Sequence, residues 1–99
     1  MIAFYRNASI AAGKVGSAVA FAKQIAKYVK DKHGLELSIA MPVAGNPNRI
    51  GWAARYESLA AFETTMNAVN ADPGYLEMVA KGSENFIPGT AHDEIWRTL

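Results

Sequence analysis

Arg55 stands alone as a charge in the apolar strand pattern Ile50-Gly51-Trp52-Ala53-Ala54-Arg55-Tyr56. A guanidinium in a central strand needs a partner, because charges are rarely buried unpaired. It would either pair with Glu36, Glu94 or Asp93, or anchor a carboxylate or polarise a carbonyl on a bound molecule. Trp52 and Tyr56 share that strand; they fill core or interface, or stack on a flat substrate. His92 precedes Asp93 and Glu94. A histidine beside carboxylates is a candidate general base with a raised pKa, or else a surface residue at a strand end. His33 closes a helical stretch, where it complements the helix dipole and meets solvent. A metal site needs three or more convergent ligands. Neighbouring strand residues point to opposite faces, so only His92 and Glu94 converge, and no metal site is expected.

Other chemistries are excluded by what the chain lacks. It has no cysteine, which removes disulfides, thiolate nucleophiles, iron–sulfur clusters and Cys-ligated zinc. That composition fits a reducing cytoplasm. No serine-nucleophile elbow or paired-carboxylate motif occurs, and Gly13-Lys14 lacks the glycine spacing and the Ser/Thr of a phosphate loop. The net charge of +1 gives no pull toward nucleic acid or anionic lipid. Lys23, Lys27, Lys30 and Lys32 form the one cationic cluster, read as a solvated helix face interrupted by Asp31. The longest unbroken apolar run near the start is Ala18 to Ala22, too short for a signal h-region or a membrane span.

The elements that must position these residues follow from periodicity. With 99 residues and 51% apolar content, the chain is read as a single domain over 1–99. Residues 2–10 (IAFYRNASI) predict a first strand. Residues 14–33 predict a helix, with Val15, Val19, Ala22, Ala26 and Val29 at helical spacing, Phe21, Ile25 and Tyr28 widening the stripe, and Gly34 as terminator. Residues 35–43 alternate, Leu35, Leu37, Ile39, Met41 and Val43 facing one way, and predict a second strand. A Gly45-Asn46-Pro47-Asn48 turn joins it to a third strand over 49–57. Ser58 is an expected N-cap for a helix marked by Leu59, Phe62, Met66 and Val69. Asp72-Pro73 restarts a helix to Gly82. A loop over 83–90 leads to a last strand over 92–99.

The order β-α-β-β-α-β is the ferredoxin-like split motif, an α+β fold. Right-handed crossovers place both helices on one face of a four-stranded antiparallel sheet. The other face must meet water or a partner. Strand one is apolar or aromatic on both sides, Ile2 and Phe4 on one and Ala3 and Tyr5 on the other, and strand three sets Ile50, Trp52, Ala54 and Tyr56 against Gly51, Ala53 and Arg55. Neither strand has the charged row of a solvated face. The expected cover is a second copy about a two-fold axis, giving a homodimer through the sheet face.

The run Trp52-Ala-Ala-Arg-Tyr-Glu-Ser-Leu-Ala-Ala-Phe-Glu, the step Asp72-Pro73-Gly74-Tyr75 and the closing segment Phe86 to Leu99 resemble the dimeric α+β barrel superfamily. That group includes antibiotic-biosynthesis monooxygenase-like and NIPSNAP-like proteins. The resemblance implies a pocket between sheet and helices in each subunit. It also implies, for some members, oxidation of aromatic or quinol-like substrates without a cofactor, and none is expected here. A haem-degrading branch uses an Asn on strand one, a Trp on the second helix and a His on the next. Asn7 matches the first; Thr64 and Thr65 replace the Trp and Val79 the His, which sets haem degradation aside. RNA-recognition modules share the strand order, but Ile50, Ala54 and Glu57 replace the basic and aromatic residues of their third-strand motif.

Two functions follow as expectations. The first is a non-catalytic dimeric module that binds a small apolar or aromatic ligand through Trp52, Tyr56, Tyr5 and Phe62, with neither nucleic acid nor membrane as partner. The second is a cofactor-independent monooxygenase-like enzyme acting on a small aromatic or polyketide-like compound, with Arg55, His92 and Asn7 as catalytic candidates.

Overall fold

The structure is a computed structural model that describes residues 1–99. Its elements run β1 (Ile2–Ser9), α1 (Val15–His33), β2 (Ser38–Ala40), β3 (Arg49–Tyr56), α2 (Leu59–Asn70), α3 (Pro73–Gly82), a 3-10 turn (Ser83–Asn85) and β4 (His92–Arg97). The four strands form one antiparallel sheet in the order β2-β3-β1-β4. This is the ferredoxin-like α+β topology expected from the element order. No helix is long and apolar enough to cross a membrane.

Register decides which side chains meet. On the helix-facing side the cross-strand rows are Tyr56–Ile2–Arg97, Ala54–Phe4–Ile95 and Ile39–Trp52–Arg6–Asp93. On the open side they are Arg55–Ala3–Trp96, Ser38–Ala53–Tyr5–Glu94 and Ala40–Gly51–Asn7–His92. The core lies under the first set. Ile2, Phe4, Ala54 and Tyr56 form one buried cluster, and Ile10, Ala18, Ala22 and Ile50 a second. Ile25, Val29 and Val69 join α1 to α2 in a third.

The second strand is shorter than its alternation predicts. Leu35, Leu37 and Ile39 do pack inward, but pairing ends at Ala40 and Gly51. Pro42 cannot donate to a ladder, and the chain swings away through Gly45, at φ 84°. Met41 and Val43 are therefore exposed. Strand one likewise stops at Ser9, Ile10 bridging only to Phe86, and the last strand ends at Arg97 rather than Leu99. The buried stripe of α1 is Ala18, Ala22, Ile25 and Val29; Val15 faces solvent.

The helix boundaries obey local chemistry. Gly34 takes φ 66° and returns its N–H to the Lys30 carbonyl at 3.0 Å, a left-handed C-terminal stop. Ser58 Oγ accepts from the Ala61 N–H at 3.1 Å. Asp72 Oδ1 accepts from the Gly74 and Tyr75 N–H groups, with Pro73 opening α3. The Asp72 carboxylate also accepts from the Tyr28 hydroxyl and lies 2.8 Å from His33 Nε2. His33 is thus a half-buried latch between α1 and α3, not a solvated helix end. His33 and the other hydrogen bonds to Asp72 hold its carboxyl down at about 2.

Two glycines let α3 approach α1 closely. A Cβ on Gly74 would run into the Tyr28 phenol, and one on Gly82 into the Phe21 ring. Both aromatic rings lie on α1, so α3 is seated on it at each end.

Candidate functional site

A cavity of about 610 Å³ lies between the sheet and the helices, within the usual range of small-molecule pockets (roughly 300–1,000 Å³). Its floor is Phe4, Arg6 and Ala8 from β1 with Trp52 and Tyr56 from β3. Its roof comes from Phe21, Ile25 and Val29 on α1, Met66 and Val69 on α2, and Tyr75 and Val79 on α3. The segment Ser83 to Ala91 closes one end. The helical break at Ala71, forced by the Asp72 cap and Pro73, turns the chain between α2 and α3. Beyond β1 the roof gives out, and Ile95 on β4 is exposed although its row faces the helices.

The floor is aromatic and further rings pack on it from the helix side. Phe62 on α2 packs on Phe4 at 5.4 Å and edge-on to Tyr56 at 5.2 Å. Trp52 lies against Phe86 with ring centres 5.9 Å apart, and Phe86 meets Phe21 edge-on at 5.7 Å. The Trp52 indole N–H is buried and has no acceptor within the chain. Burial pushes the Tyr56 phenol above its ordinary pKa, so it stays protonated at neutral pH.

One cation reaches this floor. Arg6 binds Asp93 in a fork, Nε to Oδ1 at 2.6 Å and Nη2 to Oδ2 at 2.8 Å, a geometry that suits guanidinium and carboxylate. Its Cζ sits 5.5 Å from the Phe4 ring centre. The hydrogen bonds with Asp93 raise the Arg6 pKa against the cost of desolvation, with the Tyr75 phenol adding to the rise. The same bonds lower that of Asp93. Glu84 is the single carboxylate in the lining, 3.9 Å from Lys14 Nζ.

The residues singled out from the sequence separate onto the two faces of the sheet. Trp52 and Tyr56 line the cavity, and Phe62 buttresses it. Arg55, His92, Asn7 and Tyr5 all lie on the open side. Asn7 and His92 are cross-strand partners there, away from the cavity. The carboxylates expected for Arg55 are engaged elsewhere. Glu36 pairs with Lys30 at 2.9 Å and Asp93 with Arg6, while Glu94 accepts from the Trp96 indole at 2.8 Å and meets His92 at 3.2 Å. No cluster of three or more metal-ligating side chains occurs.

No family model matches this chain, and no curated protein matches it significantly. Solved structures do. A NIPSNAP family protein of unknown function from Agrobacterium tumefaciens superposes with a TM-score of 0.81 at 18% identity, covering 97% of this chain and 86% of its own. An uncharacterised NIPSNAP domain protein from Burkholderia xenovorans gives 0.85 at 14% identity, over 100% and 95% of the two chains. A candidate antibiotic biosynthesis monooxygenase from Deinococcus radiodurans gives 0.73 at 13%, over 99% and 92%. At these identities the likeness is one of fold, the ferredoxin-like α+β fold that the sequence resemblance implied.

Proposed function

We propose that this protein binds a small, flat, apolar molecule in the cavity between its sheet and helices. The carrying observation is the cavity itself, about 610 Å³ of mostly hydrophobic wall floored by Trp52, Tyr56 and Phe4. Its polar groups are few, which favours orienting a ligand over turning it over. Both histidines lie outside the lining, and no general base is paired with a nucleophile there. The test uses the Trp96→Phe variant, in which Trp52 is the one fluorophore of its kind. Naphthalene-sized aromatic probes should change its emission saturably at micromolar concentration. A panel of such probes with no saturable change would overturn the reading.

A second reading, cofactor-independent oxidation of a quinol-like compound by dioxygen, draws on the Deinococcus neighbour's description and on the Arg6 and Tyr75 polar groups beside the aromatic floor. Oxygen-electrode measurements with a quinol panel test it. Uptake no faster than with heat-denatured protein argues for binding alone.

The chain is further proposed to act as a homodimer through the open sheet face. Trp96 is 56% and Tyr5 44% exposed there, amid the small residues Ala3, Gly51 and Ala53. Arg55 has no ion-pair partner in its own chain. Sedimentation should give a dimer that Trp96→Asp dissociates. A clean wild-type monomer at micromolar concentration would refute the proposal.

A further inference from the structure

We propose that the cavity selects neutral ligands bearing an oxygen acceptor and turns anionic ones away, because Asp93 already neutralises its one cation, Arg6. The inference rests on the cavity being the ligand site and adds the charge class of what it takes.

The register places Arg6 and Asp93 directly across from each other on β1 and β4, on the helix-facing side. Trp52 lies next to Arg6 in the same row. A guanidinium carries five N–H donors. Two go to Asp93, at 2.6 and 2.8 Å, and the others are left for water or a bound molecule, since the two side chains stay 36% and 43% exposed. Those donors keep their hydrogen-bonding capacity, but the pair carries no net charge.

A carboxylate ligand meets two obstacles in this setting. Leaving water for an apolar cavity costs a charged group far more than a hydroxyl or carbonyl, unless an opposite charge is waiting. The waiting charge is spent on Asp93, so an incoming carboxylate must displace Asp93 or share Arg6 with it, two anions on one cation. Glu84 at the rim of the lining is 71% exposed and lies 3.9 Å from Lys14, so it offers an anion no attraction at the mouth. A neutral oxygen faces none of this. It can accept from the free guanidinium N–H groups or from the protonated Tyr56 phenol, while its ring lies over the aromatic floor. Asp93 thus acts as a specificity residue from outside the lining: it sets the charge of the residue that touches the ligand.

A matched pair of probes tests this, 2-naphthol and 2-naphthoate, which share a ring system and differ in charge at pH 7. With wild-type protein and titration calorimetry as the readout, naphthol should bind at least about tenfold more tightly. Asp93→Asn leaves the Arg6 charge uncompensated and should shift the ratio toward naphthoate by about tenfold or more. A wild-type measurement stands beside the variant. Naphthoate affinity should climb as pH falls through the ordinary carboxyl range near 4, where the probe becomes neutral and Asp93, its pKa lowered by Arg6, stays ionised. Equal or tighter wild-type binding of naphthoate at pH 7 would overturn charge selection while leaving the cavity reading intact. So would an unchanged ratio in the variant. Failure of both probes to bind at any pH would overturn the cavity reading, and this inference with it.

Discussion

The Gly82→Ala substitution should destabilise the protein although it puts a better helix former into a helix. Gly82 is the last residue of α3 and is buried. A Cβ built there falls 2.7 Å from Phe21 Cζ and closer still to two other ring carbons. Ordinary carbon contacts lie at about 3.5–4.0 Å, so the ring must retreat by roughly 1 Å or more. It has little room, since Phe86 packs on it at 5.7 Å and Phe86 in turn holds Trp52 at 5.9 Å. Overpacking of this kind costs about 1–3 kcal/mol. The gain in helix propensity is at most about 1 kcal/mol, less at a helix end. The net expectation is a loss of about 1–2 kcal/mol. At about 4–8 °C per kcal/mol for a domain of this size, thermal unfolding should fall by roughly 4–16 °C. Gly16→Ala is the internal control: it sits in the first turn of α1 with nothing within 4 Å of the added Cβ, and should be neutral or stabilising. The displaced Phe21 ring also lines the cavity, so Gly82→Ala should weaken aromatic probes as well. If Gly82→Ala raised the melting temperature as much as Gly16→Ala, the close seating of α3 on α1 would be refuted.

The Asp72 carboxyl is held at about 2, below its ordinary 3.8, chiefly by His33. A depressed carboxylate stabilises fully above its unfolded pKa and loses that contribution as pH falls through the folded one. Wild-type protein should therefore lose melting temperature between pH 4 and 2 more steeply than Asp72→Asn, and parallel profiles would contradict the latch. Trp52→Phe removes an indole N–H that has no acceptor, relieving a desolvation cost of about 1–3 kcal/mol against the lost ring volume. It should shift stability by no more than about 1 kcal/mol, where Trp52→Ala costs about 3–5, and equal damage from both in chemical denaturation would show that the N–H has a partner. A neutral aromatic ligand at 100 times its dissociation constant should add about 2.7 kcal/mol to folding stability. That is roughly 10–20 °C in melting temperature, and a ligand that changes Trp52 emission without moving the melting curve is not in the cavity.

The fold was legible because each element carried its own signals. Alternation in β1 and β3, the Ser58 and Asp72 caps and the Gly34 stop all sit where their chemistry places them, whereas Gly82 keeps φ at −84° and α3 runs on into the 3-10 turn. The same alternation already contained half of the site. Trp52 and Tyr56 share a face of β3, and Arg55 must point the other way, so Arg55 could not line a pocket floored by its two neighbours. Arg6 is open to the identical argument, since it falls in step with Ile2 and Phe4 on β1. Two things lay beyond one-dimensional pattern. Asp93 meets Arg6 only through the β1–β4 register. The truncation of β2 reflects where its pairing with β3 stops, whereas Leu35 to Val43 alternates throughout.

The cavity is open to solvent on its β4 side, where the roof gives out and Ile95 is exposed. Water that enters it gives up hydrogen bonds, because walls of Phe, Ile, Val and Met offer few partners. An apolar guest reverses the loss, gaining about 25 cal/mol for each Å² of wall and ligand it removes from water. The latch at Asp72 and the seat of Gly74 on Tyr28 fix the α1–α3 part of the roof by contacts outside the cavity. A roof fixed in this way leaves the aromatic floor accessible, so an apolar occupant gains the burial without having to reorganise the helices.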